Sequence, residues 1–153
     1  MSSDWLRKTL VETCDAIAAK RLSPVELMEA TLDRIDATNG DLNAVVALRD
    51  REQLLEEARA AEERIARGVG RPLEGIPLGV KDLEDAEGLK TTHGSLPLRD
   101  NVADHDSVQV GRLRAAGAIV VGKTNAPEFG YTAITKNLVF GATASPWDLE
   151  RTP

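Results

Sequence analysis

Apolar residues recur at three- and four-residue spacing through the first half of the chain and gather into short unbroken runs in the second. The first pattern predicts helices that bury one stripe, the second predicts strands covered on both faces. An amphipathic helix is expected over residues 4–20, with Leu6, Leu10, Cys14 and Ile17 on one face and basic side chains in the last turn, where the helix dipole favours them. A second helix follows at once. Ser23 has N-cap chemistry, Pro24 suits the first helical position and Glu26 completes a capping box. Its buried stripe is Leu27, Met28, Thr31, Leu32 and Ile35, and Asn39 with Gly40 is expected to stop it. Residues 43–48 read as a short strand, and Leu54, Ala58, Ala61 and Ile65 give a third helix its apolar face ahead of Gly68 and Gly70.

Beyond residue 71 the pattern changes to strand, helix, strand: residues 76–80, then 106–116 with an Asp106/Gln109 capping box, then 118–121, with Gly117 as the helix C-cap. Little alternation within these strands fits parallel neighbours joined by a right-handed helical crossover. Residues 123–153 hold few periodic apolar positions and many Thr, Asn, Gly and Pro, the composition of loops that line a site or an interface. The fold class expected is α/β: N-terminal helices followed by the first strands of a mixed, largely parallel sheet covered by helices. One domain spans residues 1–153, mainly helical over 1–70 and α/β over 71–153.

Composition agrees with a water-facing α/β protein, at 42% hydrophobic and 29% charged residues, but only 3% are aromatic, so Val, Leu, Ile and Ala must form the core. A short sheet built this way leaves one edge uncovered, and dimerisation or aggregation is expected. The net charge of −6 is spread over both halves and no segment is basic, which argues against a nucleic-acid surface. The Glu- and Arg-rich run 49–67 reads as a solvated helix face. No stretch approaches the roughly 20 apolar residues of a membrane span. The single cysteine excludes an internal disulfide, and no apolar leader precedes residue 9, so a cytoplasmic location is expected. Cys14 reads as an inert core residue.

Candidate chemistry centres on residues 75–82 (GIPLGVKD), a core-type strand that delivers Lys81 from dry interior to the strand's exit. Burial disfavours an ammonium, and a lysine eased towards its neutral form is able to act as a general base. The alternative is that Lys81 only marks the strand end and pairs with Asp82 or Glu84 at the surface. A second motif competes, because residues 117–124 (GAIVVGKT) satisfy the G-x-x-x-x-G-K-T pattern of a phosphate-binding loop. That loop must follow a strand and open a helix, whereas here Gly117 closes a helix and the intervening residues are strand material. No cofactor and no metal is expected. His93 and His105 are twelve residues apart, and the run Asp82, Glu84, Asp85, Glu87 lacks the glycine of a calcium loop and reads as a solvated acidic turn. His105 reads as a helix-start residue.

Four segments carry a resemblance. They are residues 72–82 (PLEGIPLGVKD), 88–95 (GLKTTHGS), 113–130 (LRAAGAIVVGKTNAPEFG) and 140–153 (FGATASPWDLERTP), with weaker likeness at 23–27 and 42–45. In this order they resemble the blocks of the amidase signature family of serine hydrolases. The resemblance implies that Lys81 is the catalytic base of a Ser-Ser-Lys set, in which one serine relays the proton and a second attacks the carbonyl. It also implies that both serines follow an Arg-Thr-Pro motif, which here is residues 151–153. The serines present, Ser2, Ser3, Ser23, Ser95, Ser107 and Ser145, occupy no glycine-rich elbow.

The expectation is therefore the N-terminal portion of a carboxamide hydrolase, inactive alone, whose small-molecule amide substrate needs the missing part. Thr124 and Asn125 are candidates to orient a substrate amide or Lys81, or to cap local backbone, and Trp147 is expected to pack at the mouth of the site. Two further readings stay open: a non-catalytic interaction subunit, as a homodimer or with a complementing chain, and part of the glutaminase subunit of a tRNA-dependent amidotransferase. Departures from the family pattern are Leu83, where many relatives carry asparagine, and the less polar segment 135–140.

Overall fold

The computed structural model describes residues 2–153, with side chains from Asp4 onward. Among these residues four α-helices and five strands follow one another as α1 (Leu10–Ala18), α2 (Pro24–Leu42), β1 (Val45–Leu48), α3 (Arg51–Ala66), β2 (Pro77–Lys81), α4 (Val108–Ala115), β3 (Ile119–Thr124), β4 (Lys136–Asn137) and β5 (Gly141–Ala142). β1, β3 and β2 form a three-stranded sheet in that order, and β4 pairs with β5. β1 runs antiparallel to β3, with Val45 opposite Thr124 and Leu48 opposite Gly122. The Ile119 amide donates to Ile76 O and the Asp82 amide to Thr124 O. Residue numbers therefore rise together along β2 and β3, and the pair is parallel, as the sequence predicts. A mixed sheet with a helical crossover is the result.

The chain folds into two compact units. The first gathers the chain up to Arg34, Arg49–Leu78 and Arg112–Val121, and the second gathers Ile35–Leu48, Gly79–Gly111 and Gly122–Pro153. In the first unit, Met28 and Leu32 of α2 pack with Leu54, Leu55, Ala58 and Ala61 of α3 and with Ile119 and Val121 of β3. A second cluster joins Ala16, Ile17, Leu22 and Leu27. Most of the expected stripes of α2 and α3 are thus core, with Thr31, Ile35 and Ile65 only partly buried, and the Ser23–Pro24–Glu26 cap forms: Ser23 Oγ accepts from the Val25 and Glu26 amides.

Several boundaries differ from expectation. The helix expected over 4–20 is interrupted, because Thr9 caps a new helix by accepting from the Glu12 amide while Glu12 reaches back to the Thr9 amide. Residues Ser2–Arg7 form a separate 3₁₀ segment. Leu6 and Leu10 are exposed, and Lys20 lies beyond the helix in a left-handed conformation. Cys14 is half-buried and lines a cavity of about 460 Å³ with Ile17, Ile65, Arg71 and Glu74, and burial pushes its thiol pKa up. Asn39–Gly40 does not stop α2; the Asn39 side chain instead accepts from the Ala44 and Val45 amides, and the left-handed residue that turns the chain is Asn43. Before α4 the cap is Ser107, whose Oγ lies 3.5 Å from the Val110 amide, because the Asp106 carboxylate is taken by the Glu87 amide. β3 is buried from Ile119 to Lys123, but β2 is an edge strand and is only partly covered.

Glu74 is the charged residue most deeply set in the first unit. Its carboxylate accepts from Arg64 Nε at 3.0 Å and from Arg71 Nε at 2.7 Å. Burial by itself would raise its pKa, but the two guanidinium groups outweigh it and hold the carboxyl at about 2. A depressed carboxylate contributes stability above its ordinary value of 4.5 that is lost as pH falls towards 2. Thermal unfolding between pH 5 and 2 (roughly) should show a loss of about 2–3 kcal/mol from this group, and Glu74→Gln should flatten that part of the profile.

Candidate active site

The second unit holds the candidate chemistry. Alternation along an extended strand sends neighbouring side chains to opposite faces, and at the end of β2 it separates two charges: Val80 is buried, Lys81 exposed and Asp82 buried again. Among the described residues the Lys81 ammonium has no hydrogen-bonding or ion-pair partner. The pairing with Asp82 or Glu84 weighed from sequence does not form, because Asp82 turns inward. The lysine carried into dry interior is not Lys81 but Lys123 of β3, which is wholly buried.

Asp82 is 1% exposed, so the acidic run is not a solvated turn at its first member. Its Oδ1 accepts from the Thr92 amide at 2.9 Å, and its Oδ2 accepts from the Thr92 hydroxyl and from the Gly94 amide at 3.3 Å. Lys123 Nζ lies 3.8 Å from Oδ1 and donates to Thr91 Oγ1 at 2.8 Å and to the Glu84 carbonyl. Burial lowers the Lys123 pKa, opposed by the nearby Asp82, Asp85 and Glu84 carboxylates. The phosphate-loop string is thereby explained differently: residues 119–124 are strand, and a lysine with no exposed surface does not reach a phosphate. Sequence reasoning missed this cluster, although a lysine inside an apolar strand was a signal for it.

Thr124 ends β3, half-buried, and its carbonyl receives the Asp82 amide. Asn125 is buried and bonded on both sides of its amide. Its Nδ2 donates to Thr143 Oγ1 at 3.0 Å, and its Oδ1 accepts from Asn137 Nδ2 at 2.7 Å and from the Ala126 amide at 3.0 Å. Asn137 in turn accepts from the Val139 and Phe140 amides. Thr124 is thus joined by backbone to the segment that carries Lys81, while Asn125 organises the loop beyond.

The side chains of Ser2 and Ser3 lie outside the described residues, and the other serines have local duties: Ser107 and Ser23 cap helices, Ser145 Oγ accepts from the Trp147 amide, and Ser95 Oγ donates to Glu128 Oε1 at 2.7 Å. The Ser95–Glu128 pairing was not foreseen, and with Ser95 3% exposed it does not face a substrate. His93 stacks on Phe129, ring centroids 6.0 Å apart, and both residues are left-handed. His105 pairs with Asp104 at 2.6 Å, which pushes its pKa up. Trp147, expected to pack at the mouth of the site, is 95% exposed; the turn from Ser145 to Asp148 holds its backbone, and no described residue covers its ring. Among the described residues no group of three or more His, Cys, Asp or Glu could hold a metal ion.

A family model described as Amidase matches residues 26–153. The chain belongs to the amidase family. An acylamidase of Rhodococcus erythropolis is 42% identical over 147 residues, which are 95% of this chain and 30% of the relative. A glutamyl-tRNA(Gln) amidotransferase subunit of Coxiella burnetii (strain RSA 493 / Nine Mile phase I) is 40% identical over 96% of this chain and 30% of its own length. A solved bacterial aryl acylamidase of the amidase signature enzymes superposes with a TM-score of 0.84 at 32% identity, covering 93% of this chain and 31% of that one. The chain spans about 30% of the length of the curated relatives it matches. The amidase match includes the strand that ends in Lys81 and the buried Asp82, Thr92 and Lys123.

Neighbouring residues should respond oppositely to truncation. Asp82→Ala leaves the Lys123 ammonium without its carboxylate and should cost about 3–5 kcal/mol, whereas Lys81→Ala should stay within roughly 0.5 kcal/mol of the parent, both read from urea unfolding.

Proposed function

We propose that this chain is the lysine-bearing part of an amidase that hydrolyses carboxamide C–N bonds through an acyl-enzyme, with Lys81 as general base. The observation that carries the reading is the unpartnered Lys81 ammonium at the exit of β2, set back to back with an Asp82 whose own bonds all point inward. With no carboxylate claiming it, the Lys81 amine is sterically available to a relay serine. Lys81 takes the proton of a relay serine, which takes that of the nucleophilic serine as its oxygen bonds to the amide carbon. The C–N bond then breaks, the proton passes to the leaving amine, and water releases the acid. Both serines come from the part of the amidase fold that this chain does not span, with Thr124 holding the lysine segment by its backbone and Asn125 shaping the adjoining loop. Residues 1–153 are then the first part of one such domain.

The substrate is a small amide. The repeated likeness to glutamyl-tRNA(Gln) amidotransferase subunits favours glutamine's carboxamide as one candidate beside the anilide-type amides. The remaining two thirds of the fold, continuous with this sequence or supplied by a complementing chain, would sit against the partly covered β2 edge, with a second copy of this chain as the competing occupant. No described helix is long and apolar enough to cross a membrane, and a cytoplasmic site of action fits the single half-buried thiol.

The chain alone is expected to leave acetanilide and glutamine intact. Co-produced with the remaining part of the Rhodococcus acylamidase, it should hydrolyse them, and Lys81→Ala should lower kcat by roughly 10²–10⁴-fold, monitored by amine or ammonia release. Turnover by the chain alone, or an unaffected Lys81→Ala, contradicts the reading.

A further inference from the structure

The lysine of the phosphate-loop string is buried at a cost, and the bonds it makes say what for. Two segments meet at its ammonium: the turn after β2, through the Glu84 carbonyl and the Asp82 carboxylate at 3.8 Å, and the loop through Thr91 Oγ1. An ammonium has three donors, and two are placed on acceptors while the third faces the carboxylate. The Glu84 amide donates back to the Lys81 carbonyl at 3.0 Å. A short relay therefore runs from Lys123 through Glu84 to the backbone of Lys81, and a second runs through Asp82, the next residue.

The root of Lys123 is itself fixed. A Cβ on Gly122 would stand 2.3 Å from Ala47 O and 2.9 Å from Leu48 Cα, so β1 presses on β3 immediately before the lysine. A Cβ on Gly79 would stand 3.0 Å from Thr124 Cγ2, which brings β2 close to β3 two residues before Lys81. Thr91 is held from the far side as well, its amide donating to Asn101 O and its carbonyl accepting from Asn101 Nδ2 at 2.9 Å.

We infer that Lys123 is a positioning residue for Lys81: a buried ammonium that ties the turn after β2 to the Thr91–Thr92 segment and so fixes the direction in which the strand delivers the exposed lysine. The inference rests on Lys81 as the base. An apolar side chain at 123 would fill the same space, but it would leave the Glu84 carbonyl, Thr91 Oγ1 and Asp82 each short of a donor in a buried place, where an unmet polar group is unfavourable. Lys123→Arg keeps a donor and a charge and should restore much of the arrangement.

Amide hydrogen exchange and side-chain NMR on the 153-residue chain test this without turnover. Lys123→Met should speed exchange of the Asp82, Thr92 and Gly94 amides by about tenfold or more, while the Arg49 and Ile119 amides, bonded to Val121 O and Ile76 O, change by less than about twofold. The Lys81 Cε–Hε resonances should sharpen and collapse towards the positions of the other exposed lysines, and Lys123→Arg should return them. Thr91→Val, which removes one acceptor and keeps the lysine, should give a weaker change at the same amides and decides the matter if Lys123→Met does not fold. Unchanged protection in the folded variants, or protection lost equally at Arg49 and Ile119, overturns the inference. In the assembled amidase, Lys123→Met should lower kcat at unchanged KM; a silent Lys81→Ala there defeats the base reading alone and leaves the exchange result standing.

Discussion

A buried carboxylate tolerates its surroundings only when its oxygens are met by donors, and Asp82 meets this condition through Thr92, Gly94 and the Lys123 ammonium. Everything of interest around Lys81 follows from that. With Asp82 fixed inward at the end of β2, pleating leaves Lys81 only the outward face. The same bonds bring the loop at 91–94 against β2 and leave the lysine without an acidic neighbour to hold it. The proposed general base is thus presented by anchoring the residue beside it.

The central strand makes this geometry hard to slip. β3 lies between an antiparallel and a parallel neighbour, and at Gly122 the backbone of β1 approaches closer than any side chain would allow. A one-residue shift would turn Lys123 to the opposite face of the sheet, where its ammonium would lose the Glu84 carbonyl and the Thr91 hydroxyl together.

Legibility in the sequence followed locality. The α2 cap was readable because Ser23, Pro24 and Glu26 act within one turn, and the core stripes of α2 and α3 were readable from helical period. The parallel β2–β3 pair was readable from the unbroken apolar runs. The break at Thr9 was missed although its capping box lay in plain view, because the apolar residues on either side continued the helical period. The continuation of α2 past Gly40 was missed because the Asn39 side chain serves β1 rather than a helix end. The candidate site was half legible: motif resemblance marked Lys81, but the pairings of Asp82 with Thr92 and of Thr91 with Lys123 join positions 10 and 32 residues apart in the chain, and only folding brings them together. Trp147 shows the opposite failure, since aromatic character suggested packing that the surrounding turn does not supply.

The claim that most needs testing is that the amine at position 81 performs the proton transfer. In the assembled amidase, with Cys14→Ser to leave no other thiol in this chain, Lys81→Cys should abolish amide hydrolysis. Alkylation of that cysteine with 2-bromoethylamine, which rebuilds a lysine-like amine, should restore a substantial part of it. Full activity of Lys81→Cys before alkylation would contradict the assignment.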